Sequence, residues 1–245
     1  MNAGAGVVLV TGAARRIGAA IARQLHASGW NVVIHYRASG GEARALEGEL
    51  NRARADSAAS LRANLLDLRA VDKLAAAAFE RWDRLDALVN NASSYYRTPL
   101  AELTEEQYED LTGSNLKAPL FLIRACAKHM KQGAIVNIAD IHAAHPMKGY
   151  LVYCAAKAAL VSLTGSLALE LAPRIRVNAI APGHVLWADQ NTMTAAQREA
   201  EIARVPLERL ARPEEIGAAA AFLLSPAAAY ITGATLPVDG GLRLV

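Results

Sequence analysis

The stretch Val7-Val8-Leu9-Val10-Thr11-Gly12-Ala13-Ala14-Arg15-Arg16-Ile17-Gly18 decides the architecture of this 245-residue chain. Four apolar residues in a row, three of them β-branched, read as a strand covered on both faces. Thr11-Gly12 ends the run. Ile17, Ile21 and Leu25 then keep a helical period until Gly29, and Val32-Val33-Ile34 makes a second strand. A strand, a helix and a strand in about thirty residues form the unit from which parallel sheets are built.

The alternation continues outward. The pattern predicts helices at about 41 to 54 and 70 to 82, and strands near Ser60 to Asn64 and at Ala87-Leu88-Val89. Further strands are expected at Ile135 to Ile138, Arg176 to Ala179 and Thr235 to Val238, with long helical stretches between. The fold class is therefore α/β: a doubly wound, Rossmann-like parallel sheet. No linker, repeat or low-complexity tract divides residues 1 to 245, so one domain is expected. The least regular segment, about Pro182 to Arg204, is the natural candidate for a flap over a site.

Composition narrows the function. A hydrophobic fraction of 53% supplies a full core, and a net charge of +3 is spread without a basic run, which argues against nucleic acid. Cys126 and Cys154 have no metal-ligand spacing, and His35, His142, His145 and His184 contain no i, i+4 pair, so no metal is expected. Met1 to Gly6 lacks a basic leader and the apolar run after it is too short to span a bilayer, so no membrane association and a cytoplasmic location are expected.

Ligands of such sheets gather at the carboxyl ends of the strands. Gly12 permits the tight turn after the first strand, and Gly18 lets the next helix approach the sheet. A pyrophosphate there would meet free N–H groups and the positive end of the helix dipole. Arg16 replaces the middle glycine of a dinucleotide fingerprint, so this turn alone reads equally as a plain connection. The second strand narrows the cofactor to NADP(H). From Asn31 to Gly41 there is no carboxylate for ribose hydroxyls, whereas Arg37, Ser39 and, from the first turn, Arg15 suit a phosphate. Solvated surface arginines are the plainer reading.

Tyr153 and Lys157 stand four apart on one helical face, where an ammonium would draw a phenol pKa down toward neutrality and make a general acid. The same spacing is common on ordinary helices, and context gives it meaning. Asn90-Asn91-Ala92 closes the fourth strand, Asn115 sits in a helical stretch, and Val136 to Asp140 ends 13 residues before Tyr153. With the first turn, Pro182-Gly183 and Asp239-Gly240-Gly241, these motifs resemble the short-chain dehydrogenase/reductase family over nearly the whole chain. The resemblance implies a Tyr153/Lys157 pair, Asn115 in a proton relay, and a homotetramer. It also implies cofactor contacts at Gly12, Arg15, Arg16, Ile17, Gly18, Tyr36, Arg37, Ser39, Asp67, Leu68, Asn91, Ala92, Ser93, Tyr153, Lys157, Pro182 and Gly183.

Departures from the family pattern carry more information. Asp140 stands where serine is usual and Arg16 where glycine is usual. Together with Asn91 to Leu100 they resemble the pteridine reductase branch, which implies a pterin or folate substrate stacked on Tyr95 and contacted by Arg16, Ser93, Asp140 and Tyr153. Asp140 and Tyr153 would both handle protons at a reducible C=N bond. Arg37 falls one position early for that branch. Arg97, where proline is frequent, either narrows the pocket or binds an acidic tail. Trp187 either caps the pocket or packs at a subunit interface. Two rivals stand beside this reading: a short-chain reductase of 3-oxoacyl or sugar carbonyls, and a non-catalytic dinucleotide sensor. The sensor has no use for an intact Tyr153/Lys157/Asn115 set.

Overall fold

The computed structural model describes residues 6–187 and 193–245. Strands β1 (Val7–Val10), β2 (Asn31–Tyr36), β3 (Ala58–Arg62), β4 (Ala87–Asn90), β5 (Gly133–Ile138), β6 (Ile175–Pro182) and β7 (Thr235–Val238) form one sheet in the order β3-β2-β1-β4-β5-β6-β7. Every pairing is parallel. The chain reverses direction across the sheet between β1 and β4, which opens a crevice at their carboxyl ends.

Both faces are covered, as the unbroken apolar runs require. Val8 and Val10 pack with helices α1 (Arg16–Ala27), α2 (Gly40–Ala53) and α8 (Pro213–Leu224). Val7 and Leu9 pack on the other side with α3 (Leu68–Glu80) and α5 (Ala118–Ala127), and with Ala168 of α6 (Leu151–Leu171). Each fully buried Val or Leu contributes about 1.5–3 kcal/mol, so this two-sided burial anchors the strand ends that carry the site. Pro237 is tolerated because β7 is an edge strand.

Two expectations need correction. The third strand starts two residues earlier than predicted, because the Asn51 side chain accepts from both Ser57 N–H and Ala58 N–H at 2.9 Å and fixes where the chain enters the sheet. The segment from Pro182 to Arg204 is not irregular throughout. It contains α7 (Ala195–Ala203), begun by a capping box between Thr194 and Gln197. Residues 188–192 of the expected flap, and residues 1–5 of the expected leaderless terminus, lie outside the described residues.

Among the described helices α6 alone is long and apolar enough to cross a membrane. It buries Tyr153, Lys157, Thr164 and Ala168 against the fold and leaves Leu169 83% exposed.

Candidate active site

The floor of the crevice is built by polar side chains that join β1 to β4. Thr11 Oγ1 accepts from Asn91 N–H at 2.9 Å and Ala92 N–H at 3.0 Å, and Asn91 Nδ2 donates to the carbonyls of Thr11 and Gly12. Gly12 has φ +61°, and a Cβ on Gly18 would stand 2.2 Å from Gly12 O. Only glycine allows that approach of α1 to the turn.

His35 locks the turn to the second strand. Its Nδ1 accepts from Gly12 N–H at 3.1 Å, so Nε2 carries the proton and donates to Ala63 O at 3.2 Å. Burial drives its pKa down to about 4, so the ring is neutral in this role.

The N-terminus of α1 has no side-chain cap and no acidic residue in its first turn, which leaves its N–H groups and dipole for an anion. Arg15 and Arg16 are exposed beside it. Arg16 adopts φ +55°, a left-handed conformation that costs a non-glycine residue about 1–2 kcal/mol. Its Nη2 donates to Trp187 O at 2.9 Å, tying the turn to the segment after β6.

At the ends of β2 and β3 lies a cavity of about 490 Å³ lined by Arg37, Arg62, Ala63, Asn64 and Ala70. Arg62 Nε donates to Arg37 O at 3.2 Å. Ser39 precedes α2 without spending its hydroxyl on a cap. Two lining arginines with no lining carboxylate, and the Ser39 hydroxyl a few residues beyond β2, fit a phosphorylated ribose.

Sequence spacing does not single out Arg62 and Asn64, because it places the third strand two residues late. Asp67 and Leu68 follow β3 where the chain enters α3. Asp67 accepts from Arg69 N–H at 2.9 Å as the N-cap of α3, and neither residue lines the cavity.

At the other end of the crevice, Tyr153 Oη donates to Asp140 Oδ2 at 2.6 Å, and Asp140 Oδ1 accepts from His142 N–H at 2.8 Å. Tyr153 and Lys157 are 5% and 3% exposed, so both work in a desolvated setting. Lys157 Nζ donates to Ile138 O at 2.8 Å and sits 5.7 Å from the Tyr153 ring centre. Burial lowers the Lys157 pKa to about 8, against a smaller upward pull from Asp140.

The expected lowering of the phenol is corrected: burial first, and then Asp140, hold Tyr153 well above the ordinary tyrosine value. The phenol keeps its proton at neutral pH.

Tyr95 meets Tyr153 edge-on at 4.9 Å and stacks on Tyr150 at 4.9 Å and 16°, which makes an aromatic wall over the phenol. Tyr150, at the N-cap of α6, is a site residue that sequence reasoning misses; its place three residues before Tyr153 is the signal that could find it.

Asn115 lies in a π-helical turn, Gly113–Lys117, between α4 (Glu105–Thr112) and α5. Its Nδ2 donates to Ser94 O at 2.9 Å and Leu111 O at 3.0 Å, and its Oδ1 accepts from Ser93 Oγ at 2.7 Å. These bonds hold the strap that carries Tyr95, and none of them reaches Lys157.

A second buried set holds α6. Asn90 Nδ2 donates to Asn137 Oδ1, Asn137 Nδ2 to Thr164 Oγ1, and Thr164 Oγ1 to Leu160 O, at 2.8–3.0 Å. A fully paired chain of this kind fixes the helix rigidly, since breaking one link strands buried polar atoms.

Pro182 ends β6. Gly183 packs on Asp239, whose carboxylate accepts from Gly241 N–H and Arg243 N–H. Trp187 tilts against His184 at 5.6 Å. Among the described residues no group of His, Cys, Asp or Glu could hold a metal ion. Cys126 and Cys154 are buried free thiols.

A family model described as enoyl-(acyl carrier protein) reductase matches residues 12–243. Pteridine reductase 1 of Leishmania tarentolae is 39% identical over 97% of this chain and 96% of its own length. A 3-oxoacyl-[acyl-carrier-protein] reductase of Staphylococcus aureus is 36% identical over 96% of this chain and 97% of its own. An oxidoreductase of Methylorubrum extorquens is 37% identical over 97% of each.

Proposed function

Because the chain belongs to the short-chain dehydrogenase/reductase family, we propose that this oxidoreductase uses NADPH to reduce pterins such as dihydrobiopterin and dihydrofolate. The observation that carries the reading is the 2.6 Å bond from Tyr153 Oη to Asp140 Oδ2 under the Tyr95 ring. A carbonyl needs one proton donor, whereas a pterin offers several basic ring nitrogens beside its reducible C=N bond. A carboxyl and a phenol side by side suit that edge. An aromatic wall suits a flat heterocycle.

The cofactor binds along the crevice on this reading. The α1 N-terminus with Arg15 and Arg16 takes the pyrophosphate, and Arg37, Arg62 and Ser39 take the ribose phosphate. The reduced nicotinamide, when bound, supplies a hydride to the ring carbon. Tyr153 Oη gives a proton to the adjacent nitrogen, and a proton taken up by Asp140 refills the phenol through their hydrogen bond. Lys157, cationic below its pKa of about 8, faces the negative charge that appears on Oη. Asn115 keeps Ser93 and the Tyr95 strap in place.

The proposal extends to a homotetramer in the cytoplasm. Apolar side chains turned outward at Leu169 on α6 and at Phe222 and Tyr230 supply surface for contact between copies.

The test is NADPH oxidation by the purified protein on dihydrobiopterin, dihydrofolate and an acetoacetyl thioester. Turnover of the pterins supports the reading. Turnover of the thioester alone leaves a 3-oxoacyl reductase.

A further inference from the structure

The strap that carries Tyr95 continues to Arg97, which is exposed at the rim. A trans peptide advances at most about 3.6 Å per residue, so the Arg97 Cα lies within about 7 Å of the Tyr95 Cα. Its guanidinium is seated on the backbone of Gly149: a Cβ built there would meet Nη2 at 3.1 Å, Nε at 3.2 Å and Cζ at 3.5 Å. Gly149 has φ +83°, and its carbonyl accepts from Thr98 N–H at 2.7 Å, which locks the strap to the loop before α6. Buried Thr98 adds a bond from Val152 N–H to its Oγ1. Arg97 is thus held on a fixed platform.

Lys148, also exposed, precedes that platform, and Tyr150, stacked on Tyr95, comes after it. Neither Arg97 nor Lys148 has an ion-pair partner among the described residues. Each cation stands two residues along the chain from the stacked pair, Arg97 from Tyr95 and Lys148 from Tyr150, and neither is paired with a carboxylate among the described residues. The strap leaves the first turn at Ala92, whose N–H donates to Thr11 Oγ1, and Arg97 stands five residues further along it.

We propose that Arg97 and Lys148 form an anion-binding rim, and that the preferred pterin carries a carboxylate on its side chain. The inference rests on the pterin reading above and names the substrate within it. A forked guanidinium on a rigid support takes a carboxylate in two parallel hydrogen bonds, and the lysine adds charge without directional demand.

The test compares kcat/KM for dihydrofolate, its dimethyl ester and dihydrobiopterin in the wild type, Arg97→Gln and Lys148→Gln. Neither side chain belongs to the core, so neither change disturbs it. The expected result is a loss of about five- to tenfold for dihydrofolate in Arg97→Gln, carried by KM and shrinking at high salt. Lys148→Gln loses about two- to fivefold. Dihydrobiopterin and the ester stay within about twofold in every variant. A dihydrofolate-to-dihydrobiopterin ratio unmoved by either variant, or an ester as good as the acid, overturns the rim and leaves the pterin reading standing. No turnover of any pterin, with the thioester reduced, overturns both.

Discussion

Replacing Asp140 by asparagine keeps the shape of the side chain and removes its charge, and its two hydrogen bonds determine the outcome. Asp140 accepts from His142 N–H at 2.8 Å and from Tyr153 Oη at 2.6 Å. An amide has a single acceptor oxygen, and the backbone donor at His142 cannot turn away, so Nδ2 would face Tyr153 and donate to it. The bond reverses direction, and the phenol proton loses its carboxylate acceptor. Charge-assisted bonds exceed neutral ones by about 1 kcal/mol each, so the cost to folding is about 2 kcal/mol at most, partly offset by freeing a half-buried carboxylate. The cost to turnover is larger, because positioned acid–base groups contribute about 10²- to 10⁴-fold. We expect kcat on dihydrobiopterin to fall at least about 100-fold with NADPH binding unchanged. Steady-state oxidation of NADPH gives the first quantity, and fluorescence titration of the cofactor gives the second. A variant whose kcat stays within about threefold of wild type would refute the reasoning, since Asp140 would then only support the loop at His142.

Lys157→Met should inactivate the protein and stabilise it. Displacement of the buried ammonium from 10.5 to about 8 corresponds to about 3 kcal/mol, of which the lost bond to Ile138 O takes back about half. The folded pKa is depressed, so wild-type stability is full above 10.5 and falls as pH drops through about 8. Urea unfolding should therefore show the variant ahead near neutral pH and the gap closing by about pH 10; a gap independent of pH contradicts the assignment. His35 has the same sign: its stabilising neutral form is complete above 6.5 and lost as pH falls through about 4, so His35→Phe should remove that acid transition and weaken NADPH binding about tenfold. An unchanged acid profile would show that the bond to Gly12 carries little. Arg62→Met should raise KM for NADPH about five- to tenfold and spare NADH. Equal effects on both cofactors would remove Arg62 from phosphate recognition.

Much of the fold is legible in the sequence because this sheet is buried on both faces. Runs such as Val7 to Val10 and Ile135 to Ile138 can then be read without knowing their partners. Tyr153, Lys157 and Asp140 are legible because helical spacing and a strand end bring them together over a short stretch of chain. The features that escape the sequence depend on side chains that act across distance. The start of β3 is set by an amide from α2, which displaces the predicted strand by two residues and hides Arg62 and Asn64. The π-turn around Asn115 leaves no mark in an apolar periodicity that runs through it. The chain from Asn90 through Asn137 to Thr164 joins three elements, and His35 looks like any strand histidine until Gly12 is placed beside it. The Tyr153 phenol runs opposite to expectation because burial first, and then the carboxylate of Asp140, disfavour its charged form, and neither is visible in the helical spacing of Tyr153 and Lys157.

The central claim, hydride delivery to a pterin ring carbon at the Tyr153/Asp140 edge, is tested most directly by the fate of the label from 4-deuterated NADPH. The enzyme would be given dihydrobiopterin and an acetoacetyl thioester together, and the products read by mass spectrometry and proton NMR. The account predicts tetrahydrobiopterin with one deuterium on the carbon of the former C=N bond. Deuterium found only in a 3-hydroxyacyl thioester, with the dihydropterin recovered unlabelled, would contradict it.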